Sequence, residues 1–301
     1  LERHPDTETP DETRAQRDAP RAHAEVRGST RRELRRRHSR KPDALGVILG
    51  GVGELLITAG VFLGLFVVWQ LWWTDLQARQ YTGNVITEMA LPAAPQDSIG
   101  DSDKRTDPAP VAPPPPPGVP DGAFAILHIP TLGADYQVPI AEGVSLDGVL
   151  HKGLAGHYPD TARAGEVGNF ALAGHRQSHG AIFLHIDQLT PGDPIIVQTT
   201  DTWYVYRVTE APSVILPTEV GVIAPNPMSP GAPPEVPMLT LTTCHPLWST
   251  AERLIVHSEL DYWAPLDSGT PPEITELAQT TEAAAPSEAI QPTQPTENQE
   301  A

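Results

Sequence analysis

The sequence predicts an all-β domain closed, or nearly closed, into a barrel with short helices and preceded by one transmembrane helix. Three observations predict it. Seven short runs rich in β-branched and aromatic residues lie between Gly122 and Trp263, separated by Gly, Pro or Asp turns. The flanks of that stretch are rich in proline and poor in aliphatic residues, so only the middle can build a core. An almost wholly apolar run covers residues 45–73, long enough for a bilayer core that takes about 20 helical residues.

Residues 1–43 are polar and hold twelve of the twenty Lys and Arg. They read as a disordered basic cytoplasmic segment. By the positive-inside rule this head fixes residues 44–73 as a signal-anchor helix with its N-terminus in the cytoplasm and the remainder of the chain outside the cell. Trp69, Trp72 and Trp73 suit the outer interface. A cleaved signal peptide is the competing reading, but its apolar region runs only about 7–15 residues. Glu54 lies near the inner end of the span, where it can snorkel or pair. Gly46, Gly50, Gly53, Gly60 and Gly64 permit close packing against a second helix. Residues 74–121, with five consecutive prolines at 113–117, read as a semi-rigid extracellular stalk. Residues 264–301, rich in Thr, Glu, Pro and Gln, read as a disordered acidic tail.

Between these flanks the expected strands cover 123–129, 136–140, 169–173, 194–198, 202–208, 238–243 and 254–260. Helical turns are expected from Ser145 to Leu150 and over 181–186. Closure suits a domain of about 140 residues better than an open sheet, whose edges would need protection.

The formal net charge is -18, and past the basic head the chain is acidic, which excludes nucleic acid as a partner. The single cysteine, Cys244, excludes an internal disulfide. In an exported domain a lone thiol is an oxidation liability and needs a reason to be there.

Cys244 ends one expected strand, His175 ends another, and Arg253 opens a third. If the strands flanking the loop 245–252 pair antiparallel, Cys244 and Arg253 meet at one end of the sheet. The residue types suit acyl transfer. A thiolate attacks a carbonyl, and an imidazole takes the proton and later returns one to a leaving amine. A guanidinium holds the developing oxyanion without exchanging protons. Only Lys152, Arg163, Arg176, Arg207 and Arg253 are basic between Gly122 and Trp263, so an arginine nine positions after the cysteine calls for a role.

The run Thr240-Leu241-Thr242-Thr243-Cys244, with Arg253 opening the next strand and Ala173-Gly174-His175-Arg176 upstream, resembles the sortases. The resemblance covers roughly residues 122–263. It includes Gly156-His157-Tyr158-Pro159 and Gly165-Glu166-Val167-Gly168-Asn169, which look most like the class E, actinobacterial housekeeping, branch. It implies an eight-stranded β-barrel and a membrane-anchored cysteine transpeptidase, with Cys244 as nucleophile, His175 as general acid/base and Arg253 as oxyanion or substrate-positioning group. Thr242 and Thr243 would line the substrate groove; Tyr158, as an aromatic side chain, reads as a substrate-pocket wall or as core packing, and no cofactor and no metal are expected. The implied substrates are secreted proteins with a C-terminal sorting motif, Leu-Ala-x-Thr-Gly or Leu-Pro-x-Thr-Gly, cleaved between Thr and Gly. The implied acceptor is a peptidoglycan precursor amine. The Asp-Pro-aromatic lid of the polymerising branch is not matched, since Asp121-Gly122-Ala123-Phe124 stands before the barrel.

Competing site readings are weaker. A zinc set drawn from His175, His179 and His185 with Cys244 or His157 matches no standard ligand spacing. Glu142, Asp147, Asp160 and Glu166 lack the regular spacing of a calcium loop. His151, His179, His245 and His257 read as polar surface or satisfied residues, with His245 singled out for its place beside the thiol, and Arg176 reads as a surface pairing residue. Trp248 is a possible pocket wall, and Trp203, Tyr204 and Tyr206 read as interior packing. Two functional rivals stand: a cysteine hydrolase using the same three residues, and a non-enzymatic wall-spanning binding module.

Overall fold

The computed structural model describes residues 44–114 and 118–276. The basic head, the last three residues of the proline run and the tail beyond 276 lie outside the described residues. Two units divide the chain between Val61 and Phe62. In the first, residues 44–61 are helical and carry exposed apolar side chains such as Leu45, Leu55 and Ile57.

The helix containing them, α1 (Ala44–Met89), is the one described helix long and apolar enough to cross a membrane. It continues well beyond Trp73, where the sequence reading ended it. The added turns become amphipathic. Val85 and Met89 bury against Ala123, Ile126, Ala141, Val149 and Leu154 of the barrel unit, and Ala78 is buried as well.

Nine strands follow among the described residues: β1 (Ala123–His128), β2 (Gln137–Glu142), β3 (Ala155–His157), β4 (Gly168–Ala173), β5 (Pro194–Gln198), β6 (Thr202–Val208), β7 (Ser213–Ile215), β8 (Pro237–His245) and β9 (Glu252–Pro265). Their order is β6-β5-β1-β2-β3-β4-β8-β9, and a β6–β9 pairing closes these eight into the expected barrel. β7 adds to β9 outside the closed ring. β9 serves two neighbours in succession: residues 252–259 pair with β8 and residues 258–265 with β6, where a register shift between Val205 and Tyr206 lets the sheet bend shut.

Phe124, Phe170, Phe183, Tyr204 and Tyr206 fill the interior and are fully buried. The outer face of β6 is covered too, since Trp203 and Val205 pack with Ile99, Tyr262 and Leu266. Ile99 belongs to the segment read as a stalk. Residues 90–114 lie along the barrel: Ile99 N–H donates to Thr270 O at 2.9 Å, and Arg105 exchanges two 2.9 Å backbone bonds with Trp263. Proline lacks an N–H but keeps its carbonyl, and the barrel supplies donors to match. The Tyr204 hydroxyl donates to Pro110 O at 2.8 Å, Trp263 Nε1 to Asp107 O at 3.0 Å, and Arg163 Nη2 to Pro113 O at 2.7 Å.

The start of the tail is likewise ordered. Tyr262 donates its hydroxyl to Glu273 at 2.8 Å, and Arg207 pairs with both Glu273 and Asp261. Of the expected helical turns, the first appears as a turn leading into the 3-10 turn Leu150–Lys152, with Val149 N–H donating to Ser145 O at 3.0 Å. The second is displaced to Ile186–Gln188.

Candidate active site

The site grows from one parallel and one antiparallel pairing. β4 and β8 run parallel with Ala173 opposite Thr242, and the ladder continues one step as Gly174 N–H donates to Thr242 O at 3.1 Å. Two positions beyond that pair on each strand stand His175 and Cys244. β8 and β9 run antiparallel with Cys244 directly opposite Arg253. The imidazole, thiol and guanidinium bearers therefore occupy one row across three adjacent strands at one barrel rim, where neighbouring strands lie about 4.8 Å apart.

Side-chain hydroxyls hold that row in register. Thr242 Oγ1 donates to Leu172 O at 3.1 Å and Thr243 Oγ1 to Gly174 O at 2.7 Å, tying the end of β8 to the end of β4. Both threonines are buried, so their hydroxyls set the strand spacing instead of facing a groove. Tyr158, half-buried, bonds Thr242 through its hydroxyl at 3.1 Å. Below them a buried polar chain links the same strands to β9: Thr240 Oγ1 donates to Asn169 Oδ1 at 2.7 Å and lies 2.9 Å from His257 Nδ1. Asn169 Nδ2 donates to Val222 O and Ala224 O, both at 3.1 Å. Burial holds the His257 imidazole below its usual range.

Cys244 is partly exposed and free. His175 is partly exposed, but its Nε2 is buried with no hydrogen-bond partner among the described residues. Burial, and then the neighbouring His179 and His151, push its pKa down to about 4, so the ring is neutral near pH 7. Arg253 Nη1 donates to Thr250 O and Glu252 O, both at 2.9 Å, and among the described residues Nε and Nη2 remain uncommitted.

Arg176 is a correction to the surface reading. It is 4% exposed and pairs with Asp187 at 3.0 Å, while its Nη1 donates to His245 Nδ1. It thus braces the residue after His175 against the residue after Cys244. Charge in the sequence gave no sign of this burial, because Asp187 and His245 are remote in the chain.

The expected alternatives disperse. His185 is exposed and accepts from Gln188, and His157 lies between Glu142, Thr161 and Ala162 O, so neither joins His175. The histidines that do gather are His151, His175 and His179, with one ligand nitrogen from each within 4.8 Å of the others. Asp147 and Glu166 are taken up locally by His151 and the Arg163 N–H, and Asp160 is exposed. Trp248 is 71% exposed at the loop tip.

A closed eight-stranded barrel carrying a thiol, an imidazole and a guanidinium in one rim row has the parts of a cysteine transpeptidase. Comparison with known proteins agrees. Residues 127–261 match the sortase domain model. Over 250 residues the chain is 38% identical to sortase SrtE1 of Streptomyces coelicolor, covering 80% of this chain and 66% of that one. Over 259 residues it is 35% identical to SrtE2 of the same organism, covering 83% and 96%. Among solved structures, the SrtA sortase from Actinomyces oris superposes with a TM-score of 0.52 at 42% identity, over 56% of this chain and 95% of that one. The chain belongs to the sortase family of cysteine transpeptidases and is similar to its class E members.

Proposed function

We propose that this chain cleaves a C-terminal sorting motif of the Leu-Ala-x-Thr-Gly or Leu-Pro-x-Thr-Gly type between Thr and Gly, and passes the acyl group to a cell-wall amine. The observation that supports it is the rim row: Cys244 paired with Arg253, and His175 in step on the strand beside it.

In this reading Cys244 Sγ attacks the threonine carbonyl as the neutral His175 takes the thiol proton. The oxyanion is met by the free donors of Arg253, which its own loop carbonyls aim and which stay charged at every stage. Imidazolium is costly in the buried setting that depresses His175, which favours prompt return of the proton to the leaving glycine amine. A thioester on Cys244 remains. An incoming amine then attacks it, His175 takes the amine's proton and returns it to the departing Cys244 sulfur, and the new amide is released with the thiol restored.

The membrane anchoring belongs to the same proposal. The exposed apolar length of α1 serves as a single span, and the basic head holds the N-terminus in the cytoplasm. The catalytic barrel then faces outward, where secreted proteins and peptidoglycan precursors meet it.

The test is to incubate the full chain in detergent with paired Leu-Ala and Leu-Pro sorting peptides plus triglycine and to weigh the products. Ligation of triglycine to the peptide's threonine supports the proposal. Formation of the free acid alone would assign a hydrolase, and turnover that survives thiol alkylation would remove Cys244 from the chemistry.

A further inference from the structure

Three histidines from two separate segments meet beside the rim row. His151 comes from the turn Leu150–Lys152, and His175 and His179 from the loop leaving β4. The ring centroids of His151 and His179 lie 4.3 Å apart, and each is 5.2 Å from that of His175. We propose that His151, His175 and His179 form a binding site for a borderline divalent transition ion of the zinc class, and that filling it withdraws His175 from proton transfer.

The arrangement of the outer nitrogens supports a ligand set. His151 Nδ1 is hydrogen-bonded to Asp147 Oδ1 at 3.1 Å, and His179 Nδ1 to Ser178 Oγ at 2.9 Å. Each bond occupies one ring nitrogen and leaves Nε2 for a metal, which is the usual outer partnering of metal-bound histidine. On His175, Nε2 is buried and has no hydrogen-bond partner among the described residues; in the tautomer with the proton on Nδ1 it is an unmet acceptor that a metal would satisfy.

Charge and distance are compatible too. Asp75 of α1 accepts the Gly180 N–H at 3.0 Å and acts electrostatically on His179, so a carboxylate stands by to offset a dication. Metal–nitrogen bonds of about 2.0–2.1 Å in tetrahedral geometry put ligand nitrogens about 3.4 Å apart. The rings now stack with interplanar angles of 15°, 16° and 30°, so binding an ion requires the three partly exposed rings to turn their in-plane nitrogens toward one point as the spread of up to 4.8 Å closes by roughly 1.4 Å. All-imidazole donors select zinc, copper, nickel or cobalt over magnesium or calcium. Cys244 does not share the three-histidine cluster, so the thiol is not required for binding.

Metal binding stands independently of the proposed transpeptidation; only its effect on turnover rests on that reading. The test uses the full chain in detergent with Co²⁺ as a spectroscopic probe and Zn²⁺ as competitor. Saturable Co²⁺ absorption that Zn²⁺ displaces is expected for the wild type and for Cys244→Ala. His151→Ala and His179→Ala should each weaken it by more than about tenfold, and Asp147→Ala by about tenfold. Zn²⁺ should inhibit peptide turnover, with its potency falling by the same factor in His151→Ala. A Co²⁺ spectrum lost in Cys244→Ala but kept in His151→Ala would place the ion on the thiol and overturn the proposal. So would the absence of saturable binding at millimolar Co²⁺, whatever the peptide assay gives.

Discussion

Replacing Gly174 by alanine probes how His175 is held. A methyl group there would sit 2.5 and 2.7 Å from Phe183 Cδ2 and Cε2 and 2.8 Å from Ile182 Cδ1, all below contact distance. Phe183 is fully buried and cannot swing away. Gly174 cannot retreat either, because its N–H is bonded to Thr242 and its carbonyl accepts from Thr243. The overpacking should cost about 1–3 kcal/mol, which lowers Tm by roughly 2–4 °C per kcal/mol in a domain of this size. Relief by moving the strand end would displace His175 from Cys244, and a shift of about 1 Å costs on the order of 100-fold in rate. The assay is thermal unfolding beside kcat/KM on a sorting peptide, with Phe183→Leu and the double variant completing a cycle. Phe183→Leu alone leaves a cavity, yet in the Gly174→Ala background it should recover part of both losses. A Gly174→Ala chain with wild-type Tm and wild-type kcat/KM would refute the packing argument.

Arg253→Ala should slow acylation about 100- to 1000-fold while Tm changes little, since the side chain is partly exposed and gives up only bonds to its own loop; a fully active Arg253→Lys would contradict the forked role. Asp187→Ala strips the carboxylate from Arg176, which is 4% exposed, and should cost about 1–3 kcal/mol, discounted because Asp187 itself is half exposed; urea unfolding measures it. His128 provides a pH test: burial against Trp203 lowers its pKa to about 4, outweighing the Gln198 bond. With the folded value below the unfolded 6.5, its contribution is complete above about pH 6.5 and lost as pH falls toward 4, amounting to about 2 kcal/mol by pH 5. Urea unfolding of wild type and His128→Gln at pH 7.5 and 5 should show the gap between them narrowing by that amount.

The barrel was legible because its main strands carry their own signal. β5 and β6 fall on the predicted residues, and β1, β2, β4, β8 and β9 differ only at their ends. β3 and β7 were missed, each three residues long. β3 centres on Gly156, whose missing side chain makes room for Gly143 O at 2.4 Å from where a Cβ would stand, a requirement visible only once the strands meet. The proline-rich segment misled for a related reason. Its composition forbids a core of its own but not a place on another, and the side chains that capture its carbonyls come from Arg163, Tyr204 and Trp263. At the site, Cys244 and Arg253 could be paired from the sequence because one hairpin joins them. His175 needed the parallel β4–β8 pairing, and the gathering of His151 with His175 and His179 depended on a loop that carries no local pattern.

In the proposed mechanism Cys244 carries the acyl group, with His175 and Arg253 acting on it from either side. Intact-protein mass spectrometry during turnover of a sorting peptide tests this most directly. An adduct of the peptide's N-terminal fragment up to threonine is expected, mapped to Cys244, lost on adding triglycine, absent in Cys244→Ala and scarcely formed in His175→Ala. An adduct mapped elsewhere, or turnover that persists in Cys244→Ala, would contradict it.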